Sequence, residues 1–385
     1  MLLVLLISFG TVCAVLFSPA LPEIARFFHV SKNSAQWTMT LFLLGYALGQ
    51  LPYGVLANRF GRVPTIKMGI TLQLLGCLLC IISYYLGIFS VLLLGRFIMA
   101  LGASVGLMMS FTLMNDFYDK AQARIISSKL MMAFAILPGL SLTMGGCITH
   151  YFAWQYCFYF LLGYGLFVYF IIGGLLEEPV FQKSTELNIK TILNDFAHIL
   201  KNKSVVLYAL MMGGGGAIIY SYNAMSPFLG IDQLNLTEAM FGIFAMLPPL
   251  GIFLGSFITQ KLNKYFQPLQ VIQMGIAGAF MGALGMLVSF KLQISLIGLF
   301  GVMFLIYISL SLVLANASAL SSGAATDKAN ASSVMNFLNM SMGALGVGVA
   351  QCLPVNWSLA LPIVILSVLG CMALLALYLN QSRST

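Results

Sequence analysis

The stretch Gly54-Val-Leu-Ala-Asn58-Arg59-Phe60-Gly61-Arg62-Val-Pro64 joins two apolar runs, 35 to 57 and 65 to 86. Each run has the roughly 20 residues that a helix needs to cross a bilayer. Gly54 permits close helix packing, Gly61 permits a tight turn, and the arginines hold the short loop at the membrane face. The segment reads as the turn of a transmembrane hairpin. Composition extends that reading to the whole chain: of 385 residues, 60% are hydrophobic and 7% charged, with a mean hydropathy of +0.98. Soluble domains carry about 25% charged residues, so a soluble enzyme is excluded.

Hydrophobic runs bounded by Pro, Gly and charge give twelve spans, near 2 to 25, 35 to 57, 65 to 86, 89 to 114, 123 to 149, 152 to 176, 204 to 228, 237 to 261, 268 to 289, 292 to 320, 329 to 354 and 357 to 379. The opening run, Met1 to Phe17, lacks the basic start and cleavage site of a signal peptide and reads as the first span. Basic residues set the orientation. With the N-terminus inside, fourteen fall on the cytoplasmic side (Arg59, Arg62, Lys67, Lys120, Arg124, Lys129, Lys183, Lys190, Lys201, Lys203, Lys261, Lys264, Lys328, Arg383) and three outside (Arg26, Lys32, Lys291). Arg96 is left inside a span, and both termini are expected in the cytoplasm.

The polar segment from Glu177 to Lys203 divides the chain into six spans and six. The expected domains are therefore an N-terminal bundle over 1–176, a linker over 177–203 and a C-terminal bundle over 204–385. Ile189, Ile192, Leu193, Phe196, Ile199 and Leu200 recur at helical spacing in the linker, which suggests an amphipathic surface helix beside the alternative of a solvated linker. The halves repeat one another: Ser18-Pro19 returns as Ser226-Pro227, and Gly54 with its basic loop returns as Gly255 with Lys261 and Lys264. Ser127-Ser128 likewise returns as Ser332-Ser333. Two six-span repeats in the same topology are a transporter layout, with the substrate path expected near mid-membrane.

The loop motif resembles the G-x-L-a-D-r-x-G-r signature of the major facilitator superfamily, with Asn58 in the acidic position. The resemblance runs on through Gln36 to Leu51, through Leu94-Gly-Arg96-Phe-Ile-Met-Ala-Leu-Gly102, and through Phe152-Ala-Trp154-Gln155-Tyr156-Cys-Phe158. These segments look like the twelve-span drug:proton antiporters, nearest the bicyclomycin and chloramphenicol resistance (Bcr/CflA) subgroup. The resemblance implies an all-α fold of twelve transmembrane helices in two six-helix bundles, and proton-coupled export of drug-like or amphipathic molecules. Three departures bear on mechanism. Val15 stands where the subgroup usually has an Asp, the Arg-Asp pair ending span four reads Asn115-Asp116, and the span-five signature reads Ser141-Leu142-Thr-Met-Gly145-Gly146.

A guanidinium inside a span is functional by default. Arg96 is accordingly a candidate substrate-binding or coupling group, set against a structural role as donor to carbonyls or amides. Gln36, Tyr46, Gln50, Tyr222, Asn223, Asn316, Asn336 and Asn339 are the neutral polar residues within spans and the remaining candidates for substrate contact. Asn336 and Asn339 share one helix face. Helix-to-helix hydrogen bonds account for part of this set. Asp116, placed to pair with Arg59 or Arg62, is a candidate gating charge, set against a coupling role or a plain solvated loop charge, with Asn58 and Gly61 in the same loop and Glu23 as an outer carboxylate.

Other classes find little support. The formal charge of +8 comes without a basic run interleaved with aromatics, so no nucleic-acid partner is expected. No P-loop is present, and no His, Asp or Glu cluster marks a membrane enzyme. The seven cysteines sit in or beside apolar runs and read as buried reduced thiols, not metal ligands. The expectation is a secondary transporter without cofactor, driven by the proton gradient and monomeric in a bacterial inner membrane. Its substrate is a small molecule; the alternative to drug export is a carrier of a metabolite or carboxylate-rich siderophore, neutral or anionic.

Overall fold

The computed structural model describes residues 2–179, 197, 199–324, 328–353 and 357–384. Helices make up nearly all of it, and no strand occurs among the described residues. In chain order they are α1 (Leu2–Val15), α2 (Leu21–Phe27), α3 (Lys32–Phe60), α4 (Arg62–Leu86), α5 (Phe89–Ala103), α6 (Val105–Phe117), α7 (Lys120–Tyr151), α8 (Gln155–Leu175), α9 (Lys203–Pro227), α10 (Glu238–Phe244), α11 (Leu247–Leu262), α12 (Pro268–Leu292), α13 (Val302–Gly323), α14 (Lys328–Cys352) and α15 (Trp357–Ser384). Several run end to end as one span. Among the described residues eleven segments are long and apolar enough to cross a membrane. The expected span at 123 to 149 falls on α7.

Local chemistry sets the helix ends. Ser31 caps α3 by accepting from Ser34 N at 3.0 Å, and Gly87 closes α4 in a left-handed conformation at φ +66°. Thr237 caps α10 and Asn202 caps α9. The chain divides into two compact units, Met1–Asn194 and Asp195–Thr385. In the first, α4 and α5 meet through glycine: a side chain on Gly76 would overlap Met99 backbone, and one on Gly102 would overlap Gln73 backbone. In the second, Gly213 to Gly216 let α9 take neighbours on all sides at once. Met342 and Asn339 of α14, Met372 of α15 and Leu314 of α13 each lie against one of the four.

Two expectations are corrected here. The boundary between the ninth and tenth spans moves: α12 continues to Leu292, so Lys291 lies in its last turn, and the next span begins at Ile297 with a π-helical turn. Four cysteines are buried and Cys147 is half-buried, but Cys352 and Cys371 are exposed, because their helix faces turn outward instead of into the unit. The repeated Ser-Pro pair breaks its helix differently in each unit. Ser18–Ala20 forms a 3-10 turn between α1 and α2, while Pro227 ends α9 and passes into a π-helical turn, Phe228–Gln233. Most of the expected linker helix lies outside the described residues; of its apolar positions, Ile199 is buried with Val205 and Val334.

Candidate functional site

Proline carries no N–H, so a helix running into Ser18-Pro19 leaves carbonyls without donors. At the end of α1, Leu16 N reaches Val12 O and Ala20 N reaches Phe17 O, which passes over the carbonyls of Cys13 and Ala14. Arg96 of α5 supplies what is missing. Its Nη1 donates to Cys13 O at 2.9 Å, its Nη2 to Ala14 O at 3.4 Å and its Nε to Thr38 O of α3 at 3.4 Å. The guanidinium lies between the rings of Phe17 and Phe42, at 3.8 and 4.2 Å from their centroids, and Arg96 is 0% exposed. A cation at a helix C-terminus is favoured by the helix dipole, and the two rings replace part of the lost hydration. Arg96 thus ties the break in the first span to α3 and α5.

A second centre forms around the hairpin turn. Gly61 has φ +106° and ψ 167°, a backbone region almost reserved for glycine. It turns the chain so that Arg62, which opens α4, points back across the motif. Arg62 Nε donates to Asp116 Oδ2 of α6 at 2.8 Å, and its Nη1 donates to Ala57 O at 2.9 Å and Asn58 Oδ1 at 2.8 Å. Asp116 therefore pairs with Arg62, whereas Arg59 is exposed with its guanidinium 5.2 Å from the Phe60 ring. The amide at position 58 serves Arg62 as an acceptor.

Glu178, just past α8, completes this centre, and the sequence reading gave it no role. Its carboxylate accepts from Arg62 N and from Val63 N, the latter at 2.9 Å. Two unsatisfied donors at the start of α4 are thereby paired with a negative charge, where the helix dipole favours one. The acidic pair Glu177-Glu178 at the head of the linker, on the same side as the basic loop, is the signal in the sequence that could have found it. Glu178→Gln keeps the shape and removes the charge, and is expected to cost about 0.3–2 kcal/mol of stability. A thermal-unfolding midpoint equal to wild type contradicts this account of the centre.

The neutral candidates separate by whether their polar atoms are engaged within their own unit. Asn316 donates to Leu312 O at 2.8 Å. Tyr46 is buried with its hydroxyl against Gly10, and Asn223 is buried while Asn336 is half-buried. Gln36 is 1% exposed and both its Oε1 and Nε2 lack a hydrogen-bond partner; Gln50 Nε2 and Asn339 Oδ1 lack one too. Tyr222 lies 6.1 Å from the Tyr307 ring, edge to face, and Asn339 Oδ1 lies over Gly216. Glu23 sits half-buried in the first turn of α2. Among the described residues no group of three or more His, Cys, Asp or Glu is placed to hold a metal ion.

A helical membrane protein with two compact units, a broken first span in each and a charged hub at one hairpin turn is built as a transporter. The Major Facilitator Superfamily profile matches residues 1–347, and the chain belongs to that family. It is a membrane transporter, not an enzyme. Multidrug resistance protein D of Escherichia coli (strain K12) is 30% identical over 271 residues, 70% of this chain and 67% of that protein. A bicyclomycin resistance protein homolog of Haemophilus influenzae is 24% identical over 72% of this chain and 70% of its own length. Chloramphenicol resistance protein CraA of Acinetobacter baumannii is 23% identical over 64% of this chain and 59% of its own length. In fold, the chain superposes on a bacterial homologue of the lysosomal transporter Spinster with a TM-score of 0.75 at 16% identity, covering 100% of this chain and 96% of that one. For the D-xylose-proton symporter the TM-score is 0.73 at 13% identity, covering 98% and 94%.

Proposed function

We propose that the protein is a proton-coupled exporter of small, drug-like or amphipathic molecules, working by alternating access in a bacterial inner membrane. The observation that carries this reading is the chemistry of the buried groups left without partners in each unit. Gln36, Gln50 and Asn339 offer amide dipoles and no charge. Such groups in apolar surroundings suit solutes that are largely apolar with a few polar atoms. The relatives named for multidrug, bicyclomycin and chloramphenicol resistance support the same class.

A carboxylate-rich solute is less well served. It would require an accessible cation, and the guanidinium of Arg96 is enclosed by three carbonyls and two rings. The centre at Arg62, Asp116, Asn58 and Glu178 is read as a latch that opens and closes with the transport cycle, and Glu23 as the candidate proton carrier. The test is accumulation of labelled cationic, neutral and anionic solutes in cells expressing the protein, with and without a protonophore. Lower accumulation of neutral drugs, abolished by the protonophore, is expected; higher accumulation of an anionic solute overturns the export reading.

A further inference from the structure

Lys67 lies in the second turn of α4, about 7.5 Å along the helix axis from the Arg62 that opens it. Its basic residues assign this end of α4 to the cytoplasmic side, and the span enters the membrane from there. The two arginines nearby are accounted for, since Arg62 is paired with Asp116 and Arg59 is exposed. Lys67 is half-buried, and among the described residues its Nζ has one partner, the face of Tyr169 on α8 at 5.7 Å from the ring centroid. An ammonium carries three donors and no acceptor. The ring attracts the charge weakly at that distance, and no oxygen receives the donors. A positive charge held against an apolar span calls for an anion or water beside it.

The surroundings leave room for the anion. The side chain runs to α8, where Nζ lies 3.0 Å from the place a Cβ on Gly173 would take. Gly173 and Gly174 are both exposed, and nothing lies within 4 Å of a Cβ on Gly174. Both belong to the last turn of α8, which ends at Leu175, so the ammonium reaches the depth at which this span leaves the membrane. That is the level of lipid phosphates. Toward the membrane centre, Phe170 and Phe167 continue the Gly174 face of α8 and are exposed. A cation above a notch, followed by an apolar surface, matches the order of phosphate and acyl chain in a phospholipid. A zwitterionic headgroup brings an ammonium of its own to compete for that phosphate, whereas a headgroup of net negative charge does not.

We infer that Lys67, Tyr169 and the notch at Gly173 and Gly174 form a binding site for an anionic phospholipid of the cytoplasmic leaflet. The phosphate accepts from Nζ, and an acyl chain lies along α8 past the two glycines. The site involves the N-terminal unit alone and is independent of the solute that the chain carries.

The test is native mass spectrometry of the purified, delipidated full-length protein. It is titrated separately with palmitoyl-oleoyl phosphatidylglycerol and palmitoyl-oleoyl phosphatidylcholine, and the dissociation constant of the first bound lipid is read. Wild type is expected to hold phosphatidylglycerol about fivefold more tightly, the worth of one lysine beside an anionic headgroup. Lys67→Gln is expected to abolish this preference and Lys67→Arg to keep it. Gly173→Leu retains every charge but fills the notch, and is expected to weaken phosphatidylglycerol to the level of phosphatidylcholine. Lys261→Gln removes another exposed lysine from the same side and is expected to leave the preference intact. Glycerol 3-phosphate, which offers the phosphate without the chains, is expected not to displace the lipid. Thermal unfolding shows which variants are folded, and Lys67→Gln and Gly173→Leu probe the site independently, so either suffices. Equal wild-type affinities overturn the inference, as does a preference that survives in folded Lys67→Gln or Gly173→Leu. Displacement by glycerol 3-phosphate, or a loss in Lys261→Gln as large as in Lys67→Gln, overturns it too.

Discussion

Arg96→Ala is expected to lower the stability of the ligand-free protein by about 3–5 kcal/mol. The carbonyls of Cys13 and Ala14 lose their donor, that of Thr38 loses a second one, and the space between Phe17 and Phe42 becomes a cavity. One term opposes these, since removing a buried guanidinium relieves its desolvation, which is itself worth several kcal/mol. The loss wins because the carbonyls of Cys13 and Ala14 stay buried at a helix break that offers no other N–H. Arg96→Lys retains the charge without the planar fork and is expected to fall between wild type and Arg96→Ala. Thermal unfolding without substrate is the measurement. Were Arg96 solely a substrate ligand, the free protein would melt unchanged and only its binding would suffer.

Gly145→Ala should strike the same break from the other side. A Cβ on Gly145 of α7 would overlap the carbonyl oxygen of Leu16, and this oxygen belongs to backbone, so it cannot swing away as a side-chain tip would. Either α7 retreats or the first span shifts against the carbonyls that Arg96 holds. Overpacking of this kind typically costs about 1–3 kcal/mol, and more where backbone must move. Gly163→Ala and Gly174→Ala are the controls, because nothing lies within 4 Å of a Cβ at either position. Both are expected to stay near wild type or gain slightly from helix propensity. A melting temperature for Gly145→Ala equal to these controls contradicts the packing described.

How much of this the sequence disclosed differs by kind of interaction. Helices were legible because a membrane span must be long, apolar and continuous, so apolar runs between breakers mark them directly. The end of α12 is less legible, because a charged Lys291 reads as loop in the sequence yet lies in the last helical turn. The break at Ser18-Pro19 was legible from proline alone. What fills it was not, since the partners of Arg96 are backbone carbonyls, which leave no mark in a side-chain pattern.

Distance along the chain hid the rest. The pairing of Arg62 with Asp116 could be framed from charge, while the choice between Arg59 and Arg62 depended on how Gly61 turns the chain. Glu178 lies 116 residues beyond Arg62, in a segment that composition assigned to a linker. Whether an amide within a span is engaged or left unpaired is likewise a matter of packing. Asn316 and Gln36 look alike in sequence, yet one is bonded in its own helix and the other is bonded to nothing.

The proposed activity is export of uncharged drug-like molecules in exchange for protons. Its most direct test is uptake of radiolabelled chloramphenicol into proteoliposomes containing the purified protein, with the lumen made acidic relative to the outside. Proton exit should drive accumulation above that of protein-free vesicles, and a protonophore should abolish it. Uptake no greater than in protein-free vesicles, or indifferent to the pH gradient, would contradict the account.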